Sequence, residues 1–454
     1  MLAIGILFSP LIHFRLNGRY RNPGTGITYE GEYRITQKEK QLLLKGKQGE
    51  EYLPDGFLLE PEVYESADFD LLQVTIGIHF HWERKEDQKF KGALKIIDEG
   101  EHLTAINILP LEDYLLSVIS SEMSATSSPE LLKAHAVISR GWLLAQKEKA
   151  NTRPDSYTAL LENEEAYIRW YDREDHAHFD VCADDHCQRY QGISKAYTPH
   201  VVDAIEKTRG EVLTYEGRIC DTRFSKCCGG VTERFENTWE PICHPYLTEV
   251  TDHDPPRNIP DLREEAQARA WICSSPPAFC NTADPKVLSH VLNGYDQETT
   301  DFFRWSLSYA PRELSELVAS RTGIDFGDIL DIIPVERGVS GRLITVKIHG
   351  SRATRVIGKE LFIRKAFSPS HLYSSAFVVD IERDSEGLPL RFTFHGAGWG
   401  HGVGLCQIGA ALMSEKGYNY REILSHYFPG TTIIPLSQQW RKSPDLCREQ
   451  WGSL

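Results

Sequence analysis

Glu122 closes the stretch LPLEDYLLSVISSEM, residues 109–123. On a helix of about 3.6 residues per turn, Leu111, Leu115, Val118 and Ile119 form one apolar stripe. Glu122 follows Leu111 by about three turns and falls on that stripe. A glutamate at a helix end ordinarily turns out to solvent. On an apolar face its charged form is disfavoured, its pKa rises, and it keeps the proton that a general acid needs. Asp113 lies on the opposite side of the same wheel and is not assigned as its partner.

Other residue types invite chemistry. In the following helix Lys133 and Arg140 share a face opposite Leu131, Ala134, Ile138 and Trp142. Such a pair is either a solvated basic face or, beside a cleft, a holder of sugar or carboxylate groups. His135 leans to the apolar side and reads as a core histidine. The loop HAHFDVCADDHC, residues 176–187, offers His176, His178, Cys182, His186 and Cys187. These residue types suit zinc; a Cys182–Cys187 disulfide and free thiols are the rival readings. GAGWGHGVGLCQIGA, residues 396–410, alternates glycine. Its backbone either approaches a ligand closely or makes a tight turn on the core. A phosphate cradle lacks its GKS or GKT ending.

Helices and strands must position these groups. IGILF, YRITQ, LLQVTIGIHFHW and GALKIID read as strands, so residues 1–107 are a β-rich region. Helices are expected over 111–123 and 129–147, the second with Ser128 as N-cap and Pro129 at its first position. A short helix at 201–208, strands EVLTY, RICDTRFS, LITVKIHG and AFVVDIER, a helix over 311–321 and two final helices follow. Residues 255–300 read as an irregular Cys- and Pro-containing insertion in a region spanning 108–435, with 436–454 as a tail. Without a regular βαβ rhythm the fold class is α+β, with a central cleft beside the helix pair near 111–147.

The chain has 454 residues, enough for two or three domains, and a net charge of −15, which argues against nucleic acid and anionic membrane surfaces. Six of the ten cysteines lie between Cys220 and Cys280. That density points to disulfides and an exported protein. Cys273 with Cys280, and two among Cys220, Cys227, Cys228 and Cys243, are the expected pairs. No run of 18 apolar residues exists, and MLAIGILFSPLIHF lacks a basic start and a cleavage site. A signal or lipid anchor is therefore expected to be missing from this chain.

Taken together, the motifs resemble a known family. LPLEDYLLSVISSEMSATSSPELLKAHAVISRGWLLA is similar to the signature of the stage II sporulation protein D and amidase enhancer family (SpoIID/LytB). CQRYQG, AIEKTRGEVLTYEG, FSKCCGGVTERFENTW, SGRLITVKIHG, GAGWGHGVGLCQIGA and YREILSHYFPGT resemble its later elements, in family order. Ser124 replaces the usual proline, His135 the usual glutamine, and Gly141-Trp142 the usual Thr-Tyr.

The resemblance implies a peptidoglycan lytic transglycosylase. It would cleave the MurNAc–GlcNAc bond without water and leave 1,6-anhydro-MurNAc ends, with Glu122 as acid and then base. One carboxylate suffices, where ordinary glycosidases need two. The resemblance further implies that His401, Gln407, Ser225, Thr232, Gln188 and Tyr190 line the sugar cleft. It also implies a zinc on His176, Cys182 and Cys187 in some members, although the chemistry requires no cofactor. Its partners would be glycan strands, stripped of stem peptides in one branch, and a cell-wall amidase; its place, the periplasm or envelope. Two other classes stay open: a non-catalytic wall-binding protein that enhances an amidase, and a zinc hydrolase built on the Cys/His loop.

Overall fold

The computed structural model describes residues 1–38, 41–76, 84–124, 127–151, 160–170, 176–183, 187–194, 198–291 and 301–437. It is an α+β protein. Among the described residues, ten N-terminal strands and Val181–Cys182 form an eleven-stranded sheet, in which Leu2–Ser9 runs antiparallel to Leu103–Leu109, and that strand antiparallel to Ala93–Asp98. The strands expected at IGILF, YRITQ and GALKIID are present, and LLQVTIGIHFHW is a strand as far as Ile76, with residues 77–82 outside the described residues. Most of their apolar side chains are buried, Phe8 being an exposed exception.

Helix α1 (Leu111–Glu122) starts after Pro110, with Glu112 and Asp113 in its first turn, where carboxylates suit the positive end of the helix dipole. Helix α2 (Pro129–Asn151) starts as its sequence predicts. The Ser128 hydroxyl accepts the Leu131 N–H at 3.2 Å, and Pro129, which has no N–H to leave unpaired, takes the first position. The helix Tyr420–Tyr427 carries a capping box between Asn419 and Glu422.

One hydrophobic core runs from Leu2 to Phe428 and joins the N-terminal strands to α1, α2 and the helices Gln407–Glu415 and Tyr420–Tyr427. Residues 1–107 are thus β-rich in structure but share their core with the helix pair. A second core, from Trp305 to Phe394, holds the helices Pro311–Thr322 and Glu360–Ala366 against two smaller sheets. Of the stretch 255–300, residues 255–291 are described, and they are less irregular than their composition predicts: they contain the helices Glu265–Ile272 and Pro285–Ser289. No helix among the described residues is long and apolar enough to cross a membrane.

Among the described residues, Cys220, Cys227, Cys228, Cys243, Cys273, Cys280 and Cys406 form no disulfide. This corrects the expected disulfides. Cys280 turns away from Cys273 and toward Cys228, at a sulfur separation of 3.7 Å, well beyond the roughly 2.05 Å of a disulfide bond.

Candidate functional site

Glu122 is the last residue of α1 and is half-buried at the end of a face formed by Leu115, Val118 and Ile119, all fully buried. Its Oε1 accepts the backbone N–H of Arg189 at 3.0 Å. The loop that supplies this N–H is fixed on both sides. Gln188 accepts from the Tyr114 hydroxyl at 3.2 Å and donates to Ser139 O at 3.4 Å. The Tyr190 hydroxyl donates to Asn107 Oδ1 at 2.6 Å, and its ring stacks on Tyr114 at 5.2 Å. The Gln191 N–H reaches Ser117 on α1 at 3.0 Å. Gln188 and Tyr190 are therefore buried beneath the glutamate, where they hold the loop that orients it. Asp113 accepts the Tyr64 hydroxyl and is committed elsewhere.

Just upstream, the Cys/His loop closes on itself. Strand Val181–Cys182 lies parallel to Leu2–Ser9, which fixes Cys182. His176 Nε2 is 3.5 Å from Cys187 Sγ, and the ligand atoms of His176, Cys182 and Cys187 all lie within 4.8 Å of one another. One imidazole and two thiols at that spacing fit three corners of a tetrahedral zinc site. His178 points away, 4.0 Å from Glu99, and His186 falls outside the described residues.

The glycine-rich loop is a packed turn. Gly398, Gly400, Gly402 and Gly404 all have positive φ. A Cβ on Gly402 would lie 2.4 Å from the Arg342 guanidinium carbon, and one on Gly404 2.1 Å from Arg223 O. The loop is laced to residues 224–233: Phe224 and Ser225 pair in parallel with Leu405 and Cys406, and Cys227 exchanges backbone hydrogen bonds with Trp399. His401 accepts the Val403 N–H on Nδ1 at 3.0 Å. Burial, and then Arg223, Arg342 and Arg364, push its pKa well below the usual imidazole value, so it is neutral. Thr232 is fully buried and bonded to Thr248 O and the Val250 N–H. The Ser225 hydroxyl is buried without a partner among the described residues, a place that calls for water or a ligand group.

Gln407 joins this loop to the α1–α2 pair. Its Nε2 lies 3.7 Å from Met123 Sδ, next to Glu122 in sequence, and 3.5 Å from His135 Nε2. His135 is fully buried, as its position predicts; burial, and then Lys226, push its pKa down to about 3. An unfolded histidine binds a proton below about pH 6.5. The unfolded state thus takes up the proton that the native state refuses, and stability falls as pH falls from about 6.5 toward 3. His135→Gln is expected to flatten that loss, measured as urea midpoints between pH 7 and 4. An unchanged slope would remove His135 as its source.

Lys133 and Arg140 depart from the expectation of a shared ligand-holding face. Arg140 is fully buried, with two hydrogen bonds to Glu112 at 3.0 and 2.7 Å and a third to Glu211 O at 2.9 Å. Lys133 is tied to Glu130 at 2.6 Å, beside the Tyr420 ring. Sequence reasoning missed a different pair. The Arg223 guanidinium lies 4.3 Å over Trp239, whose ring meets His401 edge-on, and Asp221 fixes the arginine at 2.7 and 3.0 Å. The tryptophan of ENTW was the available signal.

Residues 99–215 match the sequence profile described as stage II sporulation protein, and residues 233–404 match one described as a domain of unknown function. An uncharacterised protein of Brachyspira hyodysenteriae is 26% identical over 438 residues, 95% of this chain and 92% of its own length. The amidase enhancer of Bacillus subtilis is 26% identical over 334 residues, 70% of this chain but 40% of the enhancer. Stage II sporulation protein D of Bacillus amyloliquefaciens is 24% identical over 330 residues, 72% of this chain and 75% of that protein. Residues 99–215 thus carry the match to the stage II sporulation protein domain, and with the ordered motifs the chain is similar to stage II sporulation protein D and the amidase enhancer.

Proposed function

We propose that the protein works on the bacterial cell wall in the envelope, as a lytic transglycosylase of peptidoglycan glycan strands. The observation that carries this reading is Glu122. It is a half-buried carboxyl group on the apolar face of α1, oriented by the Arg189 N–H. In the first step the Glu122 proton passes to the glycosidic oxygen as the muramoyl C1–O bond breaks. The N–H of Arg189 suits the carboxylate left behind. That carboxylate then takes the proton of the muramoyl C6 hydroxyl while its oxygen closes on C1, so one residue serves both steps and no water is consumed. Asp113, held by Tyr64, supplies no second carboxylate.

His176, Cys182 and Cys187 are proposed to hold zinc when it is present, and the ion would tie the loop that leads to Arg189. Cys187→Ser is expected to lower bound zinc by one equivalent and to speed amide hydrogen exchange over residues 187–191. Unchanged zinc content would contradict this assignment.

The name of the amidase enhancer supports a second reading, in which the chain binds wall glycan and assists an amidase without cleaving. Digestion of intact and amidase-stripped peptidoglycan by wild type and Glu122→Gln, with products read by mass spectrometry, separates the two. Anhydro-muramoyl ends from wild type alone support the transglycosylase. No products from either substrate would support the enhancer.

A further inference from the structure

Three distant segments bring thiols to one buried point. Cys228 follows the strand Phe224–Ser225, Cys280 comes from the 255–300 stretch, and Cys406 ends the glycine-rich loop. With Asp252 they are all buried, and their ligand atoms lie within 4.8 Å of one another. The Cys228 and Cys280 sulfurs are 3.7 Å apart. A tetrahedral ion with metal–sulfur bonds of about 2.3 Å sets its sulfurs about 3.8 Å apart, whereas a disulfide needs about 2.05 Å.

The surroundings are built for the cluster. The Cys228 N–H points at Cys406 Sγ at 3.2 Å, and the Cys280 N–H donates to Asp252 Oδ2 at 2.6 Å. The Tyr427 hydroxyl fixes Asp252 Oδ1 at 2.5 Å, and Gly409 leaves room for that contact, since a Cβ there would lie 2.4 Å from the same oxygen. Cys227, next to Cys228 in sequence, is also buried. The Arg304 guanidinium donates to Gly229 O at 3.0 Å, one residue from Cys228, and so brings a cation close to this cluster.

We propose that Cys228, Cys280, Cys406 and Asp252 form a closed structural site for one zinc ion, separate from the His176 loop. A sulfur-rich set with no open corner favours a structural over a catalytic ion. Each thiol gives up its proton on binding. The ion would staple the 255–300 stretch to the turn that carries His401 and Gln407. That gives the stretch a role that its composition alone does not reveal.

The test uses full-length His176→Ala, to keep the other candidate site out of the count. Metal analysis is expected to find one zinc per chain in this protein, none in His176→Ala/Cys280→Ser, and one in His176→Ala/Cys273→Ser, whose removed thiol is exposed. Reconstitution of His176→Ala with Co²⁺ is expected to give the intense visible bands of tetrahedral thiolate coordination, a readout that does not depend on Cys280→Ser folding. No bound metal in His176→Ala, or alkylation masses that reveal a Cys228–Cys280 disulfide, would overturn the proposal and leave the role of Glu122 untouched.

Discussion

Glu122→Gln is expected to slow release of anhydro-muramoyl products by about 10²–10⁴-fold, the range of one acid–base group. The loss should sit near the upper end, because the same carboxyl group gives a proton in one step and takes one in the next. The amide keeps the shape of the side chain and an oxygen for the Arg189 N–H, so the fold and the 187–191 loop should survive. The effect should therefore appear in kcat with little change in KM. Asp113→Asn is the matched control. Its side chain meets Tyr64 at the other end of the helix, and product formation should stay within a few-fold of wild type. A fall in both variants alike would point to damage to α1 rather than lost chemistry.

The second large effect concerns stability. Arg140→Met is expected to cost about 3–5 kcal/mol in denaturant unfolding, the usual loss when one partner of a buried ion pair is removed. Arg140 has no exposed side-chain surface, and its partner Glu112 keeps 15%. The substitution strands the carboxylate and also removes the donor to Glu211 O, so α1, α2 and the strand Glu211–Tyr215 lose a common tie. Lys133→Met should cost about 1 kcal/mol or less, since its ion pair with Glu130 is partly exposed. Arg140→Met with Glu112→Gln should recover part of the loss, because no charge is then left buried alone. Equal midpoints for Arg140→Met and Lys133→Met would refute this account of the pair.

What the sequence made legible was local. Ser128-Pro129 announces the start of α2, and the stripe Leu111, Leu115, Val118, Ile119 announces both α1 and the odd position of Glu122; these signals span one to three turns. Arg140 looked like half of a surface pair because its partners, Glu112 and Glu211, stand 28 and 71 residues away. Gln188 and Tyr190 were recognised by resemblance, but their burial depends on Tyr114, Ser139 and Asn107, each on another element. The alternating glycines marked a special backbone. The obstacles that require them, Arg342 and Arg223, come from elsewhere in the chain. Cysteines were paired by closeness in sequence, whereas the fold joins Cys228 to Cys280 across 52 residues and to Cys406 across 178.

Glu122 is proposed to cleave glycan without water. Digestion of amidase-stripped peptidoglycan in H₂¹⁸O, followed by mass spectrometry of the new muramoyl ends, tests it most directly. The expected products are 1,6-anhydro ends that carry no ¹⁸O and that vanish with Glu122→Gln. Reducing ends labelled with ¹⁸O would contradict it, since water would then be the attacking group and a second carboxylate would be at work.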